Sequence, residues 1–94
     1  MTRGAAFYFA NLGADVSRCI TAAKQGNETR YEDSLARAYC TLEELHKTKH
    51  PGAYEEGLLM LRGLELARTT PETLSSFQTS LDSLISTFSA RLVA

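Results

Sequence analysis

Leu58-Leu59-Met60-Leu61, with Leu64 and Leu66 behind it, is short, bounded like a helix and apolar on nearly every side. His50-Pro51-Gly52 breaks the chain before it, and Thr69-Thr70-Pro71 breaks it after. The spacing predicts a helix from about Ala53 to Arg68. A surface helix of a small bundle carries its apolar residues on one stripe. This segment has more than one stripe holds. Either its neighbours wrap it, or part of its circumference meets a second copy of the chain.

The flanking segments read as helices too. On the N-terminal side, Phe9, Leu12, Val16, Ile20 and Ala23 recur three and four apart, which predicts a helix from about Arg3 to Gln25. Gly26-Asn27 supplies a C-cap and a turn. The next helix is expected to start near Thr29, with Glu32 three residues on as a capping box. Its stripe is Tyr31, Leu35, Ala38, Leu42 and Leu45, and Lys47 and Lys49 lie where the helix dipole favours cations. On the C-terminal side, Thr70-Pro71-Glu72 reads as N-cap, N1 proline and acidic first turn. A helix from Pro71 to about Leu92 follows. Leu74, Phe77, Leu81, Leu84 and Phe88 form its seam, with Ile85 and Leu92 beside them. No strand pattern competes.

Four helices joined by short loops favour antiparallel neighbours. The expected fold is all-α, an antiparallel up-down-up-down four-helix bundle, with residues 1–94 as a single domain. Apolar residues make up 44% and charged residues 22% of the chain, the balance of a globular protein rather than a disordered one. The formal net charge of −1 disfavours a nucleic-acid partner. No run approaches the roughly 20 apolar residues of a membrane-spanning helix. Arg3 followed by Ala5 to Ala10 faintly imitates a signal peptide, but the run is short and Asn11 interrupts it. Cys19 and Cys40 are the only cysteines. A helical hairpin about Gly26 sets Cys19 level with Ser34, several turns from Cys40, so both are expected as free thiols of a cytoplasmic protein.

Two surfaces stand out beside the greasy segment. Ala6, Ala10, Gly13, Ser17 and Thr21 make a line of small residues in the first helix, suited to tight packing on a neighbour, within the bundle or across a dimer axis. Asn11, Asp15 and Arg18 cluster on its polar face, where Asp15 and Arg18 form an i, i+3 pair worth a few tenths of a kcal/mol. In the last helix, Ser75, Ser76, Thr79, Ser80, Ser83, Ser86 and Thr87 replace the usual long charged residues. Hydroxyls are weak helix formers, so tertiary packing must hold this helix. The face is either solvated or approaches another helix.

Chemistry is sparse. Glu43-Glu44-Leu45-His46 contains the Glu-x-x-His spacing of di-iron bundles, but such sites need a second copy of it and two further inward carboxylates. His50 precedes a proline and leaves helical register. Cys40 and His46 point to different faces, and Cys19 borders the core stripe as a small packing residue. Neighbouring carboxylates such as Glu43/Glu44 and Glu55/Glu56 diverge. There is no phosphate-binding glycine pattern. RNA-cleaving helical toxin domains of the HEPN type carry an Arg followed by a His after four to six residues. Arg37 and His46 are too far apart for that pattern. No catalytic, cofactor-binding or metal-binding set is expected.

Asn11-Leu12-Gly13 followed by Val16-Ser17-Arg18 is similar to a segment of short uncharacterised bacterial helical proteins, and Phe88-Ser89-Ala90-Arg91-Leu92 is similar to their C-terminal ending. The resemblance implies a helical fold and bacterial origin, and no activity. It singles out Asn11, Gly13 and Arg18. With the excess of apolar residues in the third helix, the expected function is non-enzymatic: self-association as a dimer, or docking of a helical partner, with Leu59, Met60 and Leu66 as contacts. The alternative is an RNA-linked, toxin- or antitoxin-like, or metal-dependent bundle protein using His46 and Glu43.

Overall fold

The computed structural model describes residues 3–93. Among these residues the chain forms four helices and no strand: α1 (Ala5–Lys24), α2 (Glu28–Lys47), α3 (Pro51–Ala67) and α4 (Pro71–Val93). Three residues separate each helix from the next, and they both end one helix and cap the following one. Gly26 takes a positive φ of 68°, and the Gly26 and Asn27 amides donate to the carbonyls of Ala23 and Ala22. These two bonds satisfy the last carbonyls of α1 in a Schellman arrangement. The Asn27 side chain then accepts from the Arg30 amide at 3.0 Å and caps α2. Sequence spacing favoured Thr29 and Glu32 for that role. Asn27 takes it because the α1 cap already delivers it to the helix entrance.

The second junction works the same way with less suitable residues. Lys49 occupies the left-handed region at φ 59°, where glycine is the usual choice. His50 Nδ1 accepts from the Ala53 amide at 3.1 Å, and Pro51 is the first helical residue of α3. His50-Pro51-Gly52 was expected as a break before α3. Its proline instead opens the helix, since N1 has no need of an amide donor. At the third junction the Thr73 amide donates to Thr70 Oγ1, so Thr70 caps α4 as its sequence suggested.

All four helices feed one apolar core. Phe9, Leu12, Val16 and Ile20 of α1 are fully enclosed, as are Leu45 of α2 and Leu64 of α3. Among the described side chains of α4 only Leu74 and Leu81 are buried. Phe77, Leu84, Ile85, Phe88 and Leu92 are half-buried against the same cluster. The hydroxyl row of α4 from Ser75 to Thr87 is exposed throughout.

α1 packs against all three other helices, and α3 also touches every one, whereas α2 and α4 do not meet among the described residues. The helices therefore form a flattened body of 38 × 24 × 16 Å. Phe9 and Gly13, early in α1, meet Phe88 and Ile85, late in α4, while Lys24 at the end of α1 donates to Gln78 at 2.7 Å. Glu28 at the start of α2 accepts from Arg68, the residue capping the end of α3. His46, near the end of α2, stacks on Tyr54, near the start of α3.

Three helical glycines bring the backbones close. A Cβ on Gly57 would lie 2.8 Å from Leu12 and 2.9 Å from Leu42, with Leu45 at 3.4 Å. A Cβ on Gly63 would lie 2.6 Å from the Phe77 ring, and one on Gly13 would strike Ile85. Of the small-residue line of α1, Gly13 alone is buried. Ala10 and Thr21 face solvent.

Gly57→Ala is expected to destabilise the protein by about 1–3 kcal/mol, since overpacking outweighs the roughly 1 kcal/mol gained in helix propensity. Gly52→Ala, whose nearest neighbour is 3.6 Å away, should be neutral or stabilise by a few tenths of a kcal/mol. Urea denaturation midpoints of the two variants check the contrast. Lys49→Gly should stabilise by about 0.5–1 kcal/mol, because relief of the left-handed backbone exceeds the entropy glycine adds to the unfolded chain. The same denaturation experiment reads it.

Candidate functional site

The residues of α3 divide by direction. Met60 and Leu64 point into the core, and Met60 is 1% exposed. One residue adds about 100° around the helix, so Leu59 and Leu66, seven apart, share the side turned away from the core. Leu59 is 58% exposed and Leu66 is 70% exposed. Leu58 and Tyr39 of α2 are also exposed apolar residues. Tyr39, Glu55, Leu58, Leu59, Leu61, Arg62 and Glu65 line a shallow groove of about 480 Å³ between α2 and α3. The Tyr39 hydroxyl donates to Glu65 at 3.4 Å across it. Desolvation and the facing Glu65 carboxylate both push the Tyr39 hydroxyl up from its ordinary pKa.

The six residues singled out in the sequence are not brought together. Leu59 and Leu66 lie on the outer stripe of α3. Met60 does not: with Leu61 it fills the core, because the Leu58–Leu61 run wraps the helix and its second half faces inward. Gly13 is likewise covered by Ile85 of its own chain and presents no surface. Asn11 and Arg18 are exposed on α1.

The Asp15–Arg18 pair forms at 2.8 Å, yet it is not the surface pair its spacing suggests. Asp15 is 3% exposed, and its second oxygen accepts from the Thr41 hydroxyl of α2 at 3.0 Å. A carboxylate buried between helices must have its lone pairs met, and Arg18 with Thr41 does so. Asp15 lies beside the stripe, three residues after Leu12 and four before Cys19, and its charge rather than its spacing made it read as surface.

Arg68 stands over the Tyr31 ring at 4.0 Å and reaches Glu28 at 3.0 Å, clasping the end of α3 onto the start of α2. Burial raises the Tyr31 hydroxyl above its usual pKa, with Arg68 opposing.

Around His46 and Glu43 the groups do not converge. The His46 ring stacks on Tyr54 with centroids 4.2 Å apart, and His50 Nδ1 is engaged as a helix cap. Among the described residues no three of His, Cys, Asp and Glu gather where a metal ion could be held. Nor is any described helix long and apolar enough to cross a membrane. Cys19 and Cys40 are both free thiols. Cys19 is buried and its Sγ points to the Tyr31 carbonyl at 3.9 Å. Burial, and secondarily the Asp15 carboxylate, push its pKa up to about 11. Cys40 is exposed.

Comparison with family models, with curated proteins and with solved structures gives no match to this chain.

One thiol per chain should react with Ellman's reagent in the native protein and two in denaturant, with Cys40 the native site. Because buried Cys19 keeps its proton to about 11 while an unfolded thiol releases it near 9.0, stability should fall as pH rises through that window. A Cys19→Ala variant should lose that part of the pH dependence in urea melts.

Proposed function

We propose that this chain is a non-enzymatic helical module, an up-down-up-down antiparallel bundle, that self-associates as a homodimer through the outer face of α3. The observation that carries this reading is the exposure of Leu59 and Leu66 two turns apart on the side of α3 opposite the core. Leu58 and Tyr39 extend the same apolar surface towards α2. Contiguous exposed apolar residues of this kind mark interaction sites.

The charges on this face suit a second copy of the same chain. In an antiparallel two-fold pair of α3 helices centred between Arg62 and Gly63, Leu59 of each copy faces Leu66 of the other. Arg62 then lies within about 3 Å along the axis of Glu65 on the other copy. Arg62 forms no ion pair with its own chain among the described residues. The two free thiols suit a reducing compartment such as the cytoplasm.

The antiparallel order rests on the pairing of early α1 with late α4, of α2's start with α3's end, and of α2's end with α3's start. Completing the burial of a leucine contributes about 1–2 kcal/mol. Six leucines from two copies then roughly match the cost of association, on the order of 4–15 kcal/mol. The dimer is therefore weak and depends on concentration.

Sedimentation velocity tests this. The wild type should shift from monomer towards dimer between tens and hundreds of micromolar. A Leu59→Glu/Leu66→Glu variant should stay monomeric with unchanged helical circular dichroism. A wild type that remains monomeric across that range overturns the reading.

A further inference from the structure

A second groove lies between α1 and α2, separate from the α3 face. Ser17, Arg18 and Thr21 of α1 and Arg30, Asp33, Ser34 and Arg37 of α2 line it, an open groove of about 570 Å³. Its polar groups are three guanidiniums, three hydroxyls and the Asp33 carboxylate, set among the aliphatic stems of the same side chains. Arg30 and Arg37 are two turns apart on one side of α2, and Arg18 faces them from α1. Three arginines stand against Asp33 in the groove and the Asp15 carboxylate bound to Arg18, a local charge of about +1 on a chain whose formal net charge is −1.

The arginines are free to bind. Asp33 is placed three residues after Arg30 and four before Arg37, spacings that permit ion pairs along a helix. Among the described residues neither arginine comes within 4.0 Å of a carboxylate. Arg18 is held differently. The buried Asp15 carboxylate, itself fixed by Thr41, takes one Nη1 bond at 2.8 Å and anchors the guanidinium at the rim. An arginine has five N–H donors, so most of those on Arg18 remain available. Ser34 is nearly buried and lines the groove beneath them.

We propose that this groove is a binding site for a small soluble molecule bearing a phosphate or diphosphate group. The anion would be gripped by Arg30 and Arg37 and oriented by Arg18. Planar guanidinium forks match the paired oxygens of a phosphate group, and each bond is charge-assisted. The volume lies within the range of small-molecule sites, and the hydroxyls of Ser17 and Ser34 donate to further oxygens.

Inorganic pyrophosphate is the probe, titrated into isotope-labelled full-length protein at ionic strength held constant with chloride. Amide shifts should saturate and be confined to residues 17–21 and 30–37. Arg30→Gln/Arg37→Gln removes two exposed charges without touching the core and should weaken binding about tenfold or more. A Lys47→Gln/Lys49→Gln control at a remote basic pair should leave it unchanged. Non-saturating shifts, equal weakening by the lysine control, or undiminished binding by the arginine variant would each overturn the proposal. So would binding to phosphatidic acid vesicles without binding to pyrophosphate, which would make the groove a membrane contact.

Discussion

Gly57 lets three helices converge. Its missing side chain leaves a notch into which Leu12, Leu42 and Leu45 all project, so α1 and α2 seat on the backbone of α3. Interiors pack at crystal density, and a notch of one methyl group sets how closely helix axes approach. Gly13 and Gly63 repeat the device for α4, receiving Ile85 and Phe77. The core is therefore shaped by where side chains are absent as much as by where leucines stand. Glycine inside a helix costs about 1 kcal/mol in propensity. Close packing of large apolar side chains offsets that cost at each of the three positions.

The same economy governs the turns. Asn27 and His50 each cap the helix that follows almost as soon as the previous helix has ended. Such junctions leave little slack, so the angle between successive helices is set by cap geometry. The buried Asp15 adds a polar restraint between α1 and α2. Its bonds to Arg18 and Thr41 have directional requirements that apolar contacts lack. Apolar burial drives the helices together, and the glycines and Asp15 select one register.

Much of the helical layout was legible because apolar spacing and punctuation agree along the chain. Phe9, Leu12, Val16 and Ile20 fall three and four apart and are all fully enclosed. Thr70-Pro71 opens α4 as its chemistry dictates. What spacing could not disclose was the meaning of the internal glycines. Gly57 and Gly63 look like weak points of a helix until the neighbours that fill them are known. The run Leu58–Leu61 announced that some apolar residue must face outward, but not which. Leu59 does and Met60 does not, because Gly57 and Leu64 fix the inward side of α3. Asp15 was hidden for the opposite reason: a charged residue between apolar ones reads as surface unless its partners on another helix are seen. The arginine groove joins two helices, and no one-dimensional pattern links Arg18 to Arg30 and Arg37.

Among the described residues α2 and α4 do not touch, and this has a mechanical consequence. α1 and α3 act as a shared spine, with α2 and α4 as flanks that communicate only through it. Motion of the last helix, most of whose large side chains beyond Leu74 and Leu81 are half-covered, need not disturb the opposite flank. The greasy stripe of α3 and the arginine-lined cleft both border α2. A molecule seated in the cleft would stiffen a wall that adjoins the leucine face, while α4 stays free to breathe on the far side.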